Sequence, residues 1–167
     1  DLLAGGGTLR VPILGRAGIP NSGVGAVVLN VTAVDSTSSG HLTAFPTGES
    51  VPNASNLNFT PGQTVPNMVI VKVGSDGSIS LQNGATTGGT NVVVDVSGWL
   101  PSSGNFHSVS PARIADTRPA YSTIDGRSQN VGRIAGGSSI RVPVLGRGGI
   151  PSSGVTSVAV NVTVVRP

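Results

Sequence analysis

The sequence contains no cysteine, and aromatic and charged residues make up only 3% and 10% of its 167 positions. The absence of cysteine fits a unit that buries an adequate core without disulfides, and it leaves the compartment open. No apolar run approaches the length of a membrane span, and no segment shows the apolar period of an amphipathic helix. We therefore expect no membrane insertion and no helical domain.

Positive charge is scarce and scattered. The formal net charge is +3, and the only lysine is Lys72. Proteins that bind nucleic acid usually concentrate lysine and arginine on one face, whereas the arginines here are dispersed along the chain. This distribution argues against a nucleic-acid partner.

The residues that carry catalysis are also few. His41 and His107 are the only histidines, and the serines occur without a G-x-S-x-G elbow. Two histidines without cysteine or a local carboxylate cluster do not form a zinc set, and the turn around Asp76 and Gly77 is too short for an EF-hand loop. The sequence therefore predicts no enzyme, no catalytic residue, no metal site and no cofactor.

The chain is rich in glycine (25) and proline (12), and it contains a long internal repeat. Residues 10–32 read RVPILGRAGIPNSGVGAVVLNVT, and residues 141–163 read RVPVLGRGGIPSSGVTSVAVNVT, so 16 of 23 positions are identical at an offset of 131. An offset of this size is typical of a whole small domain rather than of a solenoid coil. We interpret the chain as part of a tandem array of domains.

Alternating apolar residues between glycine- and proline-rich turns predict about eight short strands per unit, in an all-β, antiparallel β-sandwich of jelly-roll or Ig-like type. In the strand near 24–34, Val27, Leu29, Val31 and Ala33 share one face. The other expected strands lie near residues 8–14, 41–46, 55–60, 67–73, 78–82 and 91–100, and the strand at 67–73 is expected to be central.

The domain organisation follows from the phase of the repeat. Residues 1–100 form most of one unit, 101–105 form a seam, and 106–167 form the first part of the next unit. We expect the chain to begin inside one unit and to end inside another. The first unit would then be completed by residues 106–118 of its own chain or by strands from a neighbour.

The order of motifs resembles a repeat module of secreted proteins from actinobacteria and related bacteria. The motifs are ARIADTR, RVPVLGRGGIPSSGV, NVT, HLTAFP, SNLNF, PGQTVPN, VKVGSDGSISLQN and VVVDVSGWL. The sequence departs from that pattern at Trp99-Leu100, where an aromatic pair is more usual, and at Ala115, where a larger apolar residue is. The resemblance implies an extracellular or cell-surface all-β module of poorly defined role, and it carries no active site.

Three sets of candidate residues follow from the strand patterns. Asp95 interrupts a valine strand, so we expect a buried ion pair with Arg113 or Arg118. Trp99 and Tyr121 are candidate ligand or interface aromatics. The third set is an assembly strand at 155–165 that would pair with another copy of the chain or an adjacent unit; its apolar positions are Val155, Val158, Val160, Val162 and Val164.

The predicted function is a noncatalytic structural, spacer or adhesive module that assembles with copies of itself in a surface fibre. The alternative is a module that binds carbohydrate or cell-wall glycan through exposed Asn, Ser and Thr side chains. Sugar sites usually offer aromatic platforms as well, and this chain has few aromatic residues.

Overall fold

The computed structural model describes residues 2–165 of the chain. Within this range no helix is long and apolar enough to cross a membrane. All eight strands lie in the first two thirds of the sequence, and their bounds are β1 Leu3–Ala4, β2 Thr8–Pro12, β3 Val24–Val34, β4 Gly40–Pro46, β5 Leu57–Phe59, β6 Val65–Lys72, β7 Ser78–Asn83 and β8 Gly89–Pro101.

The strands form two antiparallel four-stranded sheets. The sheet that we call the β3 sheet has the order β1-β8-β3-β6, and the β4 sheet has the order β2-β7-β4-β5. The first strand therefore pairs with the eighth, the second with the seventh, the third with the sixth and the fourth with the fifth. This nested pairing is the topology of a jelly roll. The all-β sandwich predicted from the sequence is confirmed.

β3 forms the centre of the core. It pairs with β6 on one side and with β8 on the other, and its alternate residues Val27, Leu29, Val31 and Ala33 are buried as the period-2 pattern predicts. They pack against apolar residues of the facing sheet, among them Leu42, Ile79 and Leu81. Complete burial of one such side chain contributes roughly 1.5–3 kcal/mol to folding.

Two features of the β3 sheet differ from the sequence-based expectation. β6 lies at the edge of the sheet and not at its centre, a position that tolerates Pro66, which has no amide donor. In β8 the register shifts by one residue, because Val96 faces Leu29 and Gly98 faces Val28, which leaves Ser97 as an inserted bulge residue. The bulge moves Trp99 out of the alternation predicted for β8 and places it opposite Val27.

The β4 sheet is buried on both faces along its central strands. Leu42, Thr43, Ala44 and Phe45 are all buried, although a two-layer sandwich alone would leave alternate residues exposed. Part of the outer cover is the loop at 47–56, since Thr43 Oγ1 donates to Ala54 O at 2.7 Å. The chain beyond residue 105 supplies further contacts, described below.

The two copies of the repeat fold differently. In the first copy, β2 and β3 are strands that pair with neighbours in two different sheets. In the second copy, residues 139–165 form no strand within the described part of the chain. The turn between them is nevertheless the same in both copies. The amide of Ile19 donates to Arg16 O at 2.8 Å, and the amide of Ile150 donates to Arg147 O at 2.9 Å. The turn is local and forms alone, whereas a strand needs partners that are distant in sequence.

Residues 106–118 were expected to supply a strand to the first unit, and they form none. The edge of the β3 sheet beside β8 is occupied instead by β1. The sequence pattern missed β1 because it has only two residues, too few to show alternation.

Candidate functional site

A compact loop follows the sandwich, and we call residues 112–132 the DTR loop. Its two arms are joined by backbone hydrogen bonds: the amide of Asp116 donates to Ser128 O at 3.0 Å, and the amide of Asn130 donates to Asp116 O at 3.0 Å. The tip is closed by Thr123, whose hydroxyl donates to Arg127 O at 2.8 Å. The loop therefore holds its shape largely through its own contacts.

Asp116 is the charged centre of the DTR loop. Its buried carboxylate accepts hydrogen bonds from Nε and Nη2 of Arg118 at 3.0 and 2.8 Å, and it lies 3.2 Å from Nη1 of Arg113. These interactions, those with Arg118 first, hold the pKa of Asp116 below its ordinary value even though burial acts in the opposite direction. The loop thus arranges two arginines around one carboxylate.

The predicted ion pair of Asp95 with Arg113 or Arg118 is wrong. Asp95 is exposed on the outer face of the β3 sheet, opposite Asn30. That face has no covering layer at this position, so the carboxylate keeps its hydration and needs no cation. Arg113 and Arg118 belong instead to Asp116.

A second ion pair joins the DTR loop to the turn of the second repeat copy. Arg147 Nε donates to Asp125 Oδ2 at 2.7 Å and Nη2 donates to Asp125 Oδ1 at 2.7 Å, a bidentate pair. The guanidinium also donates to the carbonyl oxygens of Pro143, Ile114 and Arg127 at 2.6, 2.8 and 3.0 Å. The Arg147 side chain is 0% exposed. We call this set of contacts the Arg147 clasp.

The clasp shifts the pKa values of both partners in the direction expected of an ion pair. Hydrogen bonds from Arg147 hold the pKa of Asp125 far below its ordinary value, and those same bonds raise the pKa of Arg147. Both groups are therefore charged over the whole physiological range of pH, and the clasp does not act as a proton switch.

Close packing accompanies the clasp. A Cβ atom added at Gly148 would lie only 3.0 Å from the Cβ of Ala112 and 3.4 Å from Cγ2 of Ile114. One added at Gly149 would lie 3.2 Å from Cγ1 of Val109. Residues 106–132, which we call the DTR segment, therefore cover this turn with three apolar side chains, and glycine provides the space.

The DTR segment also contacts the sandwich. Ser108 Oγ donates to Gly25 O at 3.2 Å, and Asn53 Nδ2 donates to Ser122 O at 3.0 Å. Ser110 donates to Glu49, whose other carboxylate oxygen accepts from Lys72 Nζ at 2.9 Å. The segment thus lies between the jelly roll and the second turn, and it connects the two.

His41 is the histidine affected by this contact. It is half-buried on β4, and its ring lies against the backbone of Gly84, where an added Cβ would come within 2.1 Å of the ring. Burial lowers the pKa of His41, and the positive charges of Arg113 and Arg118 lower it further. Its charged neighbours therefore disfavour the protonated ring, and among residues 2–165 no carboxylate pairs with it in the way that orients a catalytic base.

The two candidate aromatics lie in different parts of the molecule. Trp99 is 40% exposed near the end of β8, and Tyr121 is 45% exposed in the DTR loop. The guanidinium carbon of Arg118 lies 3.6 Å from the centroid of the Tyr121 ring, a cation–π contact that occupies one face of that ring. Trp99 is therefore the better platform for a ligand.

The predicted assembly strand lies beside the sandwich without pairing as a strand. Asn161 donates to Ser55 O at 2.9 Å and accepts from Asn67 Nδ2 at 2.9 Å, which places the segment along β5 and β6. Val162 is 82% exposed and Val164 is 76% exposed. Val158 and Val160 are exposed too, while Val155 is half-buried.

Sequence reasoning missed the ion pair of Asp125 and Arg147, which is bidentate. The sequence contained a signal for Arg147, because both copies of the repeat read LGR. An arginine that recurs at the same place in a turn indicates a specific contact. Asp125 gave no signal, since its partner is 22 residues away along the chain and only the fold of the loop brings them together.

Two clefts in the described part of the chain are smaller than an ordinary small-molecule site. The cleft between the 49–53 loop and the DTR segment has a volume of about 200 Å³, and the one beside Asn161 has about 280 Å³. Small-molecule sites usually measure about 300–1,000 Å³. Among residues 2–165, no three His, Cys, Asp or Glu side chains lie close enough together to hold a metal ion.

We predict that the folded protein becomes less stable as the pH is lowered, because of His41. Its folded-state pKa lies below the unfolded value of about 6.5, so between the two values the unfolded chain binds a proton that the folded chain does not. The free energy of unfolding should therefore decrease as the pH drops below about 6.5. Urea unfolding measured between about pH 5 and pH 7.5 tests this.

The substitution His41→Asn should flatten that dependence. His107→Asn is the matched control, because His107 is exposed in the chain that follows the sandwich. A parent whose stability is constant across this range, or a His41→Asn variant with the same slope as the parent, would contradict the assignment.

We also predict that trypsin distinguishes the two repeat copies. Arg16 is exposed and Arg147 is buried, so the bond after Arg16 should be cleaved first. Asp125→Asn removes the charge that holds Arg147, and cleavage after Arg147 should then become at least as fast as cleavage after Arg16. Mass spectrometry of timed digests reports both sites, and the Arg16 site serves as the internal control. Equal protection of Arg147 in parent and variant would show that the clasp is not what buries it.

Comparison with protein-family models, with characterised proteins and with solved structures gave no match. Function therefore has to be argued from the chemistry of the site and from the repeat, because a jelly roll as such hosts many unrelated functions.

Proposed function

We propose that the chain is a noncatalytic structural module of a tandem array, acting outside the cell as a spacer or adhesive element and associating with copies of itself in a surface fibre. The observation that carries the proposal is the Arg147 clasp. It fastens the turn of one repeat copy to the DTR segment, and hydrogen bonds at Ser108 and Ser122 fasten that segment to the sandwich that contains the other copy.

The contacts of the Arg147 clasp hold the second turn and the DTR loop in a fixed orientation. The bidentate ion pair and three carbonyl acceptors satisfy a buried guanidinium, and such an arrangement fixes orientation more than it adds affinity. Because both partners keep their charge across the physiological pH range, the clasp holds under changing conditions. Fixed orientation between successive units is what a spacer needs.

The absence of catalysis is part of the same proposal. An activated nucleophile requires a base within hydrogen-bond reach, and the half-buried histidine, His41, has two arginines as its charged neighbours. The two clefts are small, and the charged groups of the DTR loop are bound to one another. Within the DTR loop these groups pair with one another and are not available as an acid–base pair.

Self-association is supported by the exposed valines. Val160, Val162 and Val164 present apolar side chains to solvent in a segment that has the sequence of a core strand. An unpaired segment of this kind readily adds to the edge of another sheet. The extracellular location follows from the motif resemblance and is proposed on that ground.

Deletion of residues 155–167, which keeps Arg147 and its clasp, tests the assembly part of the proposal. We expect the parent chain to form particles larger than one chain in a concentration-dependent manner, and the deletion variant to remain monomeric. Val162→Asp should act like the deletion, because a charge on an edge segment opposes pairing. Light scattering and electron microscopy report the result. A parent that stays strictly monomeric at high concentration would remove the fibre from the proposal.

A glycan-binding module is the second candidate, and the exposure of Trp99 favours it. If it is correct, Trp99→Ala should reduce retention on insoluble polysaccharide or cell walls at least tenfold without changing the unfolding midpoint. Val93→Ala, an exposed residue of the same strand, is the control. A parent that is not retained would eliminate this candidate.

A further inference from the structure

The turn that contains Arg16 is built like the turn that Asp125 clasps, and within residues 2–165 nothing clasps it. In both turns an amide three residues after the arginine donates back to the arginine carbonyl, and the arginine Nη1 donates to a proline carbonyl four residues earlier. Arg16 reaches Pro12 O at 3.1 Å in the same way that Arg147 reaches Pro143 O at 2.6 Å. The two turns therefore have the same internal hydrogen bonds, and they differ in what surrounds them.

The difference lies in what covers them. The Arg147 side chain is 0% exposed and meets Asp125, whereas Arg16 is exposed. An added Cβ at Gly149 would contact Val109, but one added at the equivalent Gly18 would meet nothing within 4 Å. The first turn thus presents the same surface as the second, without its cover.

From this duplication we propose that the Arg16 turn is a docking site for the DTR loop of a second copy of the chain, with Asp125 of that copy bound bidentately by Arg16. The inference deepens the proposed function and rests on it for its biological meaning, since it names the surface on which one module receives another. The partner is chosen by chemistry that this chain already displays, because the same loop binds the same turn at residue 147.

The Arg16 turn is also a rigid receptor. Ile19 follows the turn and is buried in the core of the sandwich, and the amide of Gly15 donates to Ile19 O at 3.1 Å. The position of the guanidinium is therefore set before a partner arrives, which reduces the entropy lost on binding. The DTR loop brings its own internal hydrogen bonds and is pre-organised in the same sense.

One methyl group distinguishes the two receptors. Ala17 occupies the position of Gly148, and a Cβ at that position lies 3.0 Å from the Cβ of Ala112 of a bound loop. The loop must shift by a few tenths of an ångström to bind at Arg16. Arg147 is therefore the tighter site, and it also has the advantage of being on the same chain.

Docking between copies is consequently an exchange. Arg16 of one chain competes with Arg147 of another for a single Asp125, so each loop either closes on its own chain or bridges to a neighbour. This is the logic of domain swapping, in which an element leaves its own chain for the equivalent site on a second copy.

A fluorescent peptide of residues 106–131 tests the site on the intact chain by fluorescence polarisation. We expect saturable binding that weakens with salt, because an exposed ion pair is screened. Arg16→Ala should weaken binding at least tenfold, and the Asp125→Asn peptide should lose as much. Arg16→Lys should be intermediate, since lysine keeps the charge and loses the planar fork. Arg10→Ala, which removes an exposed arginine paired with Asp76, is the control and should change nothing.

Ala17→Gly should strengthen peptide binding severalfold, because it removes the methyl group that crowds Ala112. A second experiment uses full chains only. Arg147→Ala frees Asp125 from its own chain and should increase self-association, and adding Arg16→Ala should reverse the increase.

Absence of peptide binding, or binding that is equal for the parent and Arg16→Ala, would overturn the docking site even if the parent assembles through its valine segment. Peptide binding that depends on Arg16 in a chain that never assembles would leave the docking site standing and overturn the fibre instead.

Discussion

The pairing of β3 with β6 on one side and β8 on the other is the interaction on which the rest of the molecule depends. It holds β3 in the middle of its sheet with the valine face toward the core, where that face is buried. The same kind of sequence at 155–165 has no such neighbours and stays irregular. A β-strand is thus a property of the sheet around it, because its backbone groups must find partners on other strands.

The turns, unlike the strands, form through local hydrogen bonds. The LGR turn closes through hydrogen bonds between residues three to five positions apart, so it forms in both copies of the repeat whether or not the flanking strands exist. Glycine at 15 and 146, with φ of 73° and 70°, makes this backbone accessible. The turn therefore keeps its conformation in both copies, whereas the strands depend on their surroundings.

This difference explains how much could be predicted from the sequence. The β-sandwich and the inward face of β3 follow from alternation, and β3 itself was predicted to the residue. The edge position of β6 and the closure by β1 could not be predicted, because strand order depends on pairing between distant residues. The bulge at Ser97 had one signal in the sequence, Gly98, because a glycine inside a strand pattern often marks a bulge.

The candidate site shows the same limit more sharply. Asp95 attracted attention because an acid among valines is expensive to bury, but the argument assumed a covered sheet face that the fold does not provide. Arg113 and Arg118 were recognised as ion-pair residues and assigned to the wrong carboxylate, although Asp116 lies between them in the sequence. Arg147 stood in the repeat itself, and its partner could be found only from the folded loop.

The nested order of strands has a mechanical consequence. Because Leu3 pairs with Thr90 whereas Pro101 pairs with Val24, the start of β1 and the end of β8 lie at opposite ends of the long strand β8. A pulling force applied at these two points acts along the direction of that strand. The backbone hydrogen bonds between β8 and β3 are then loaded in shear at the same time, and not one after another.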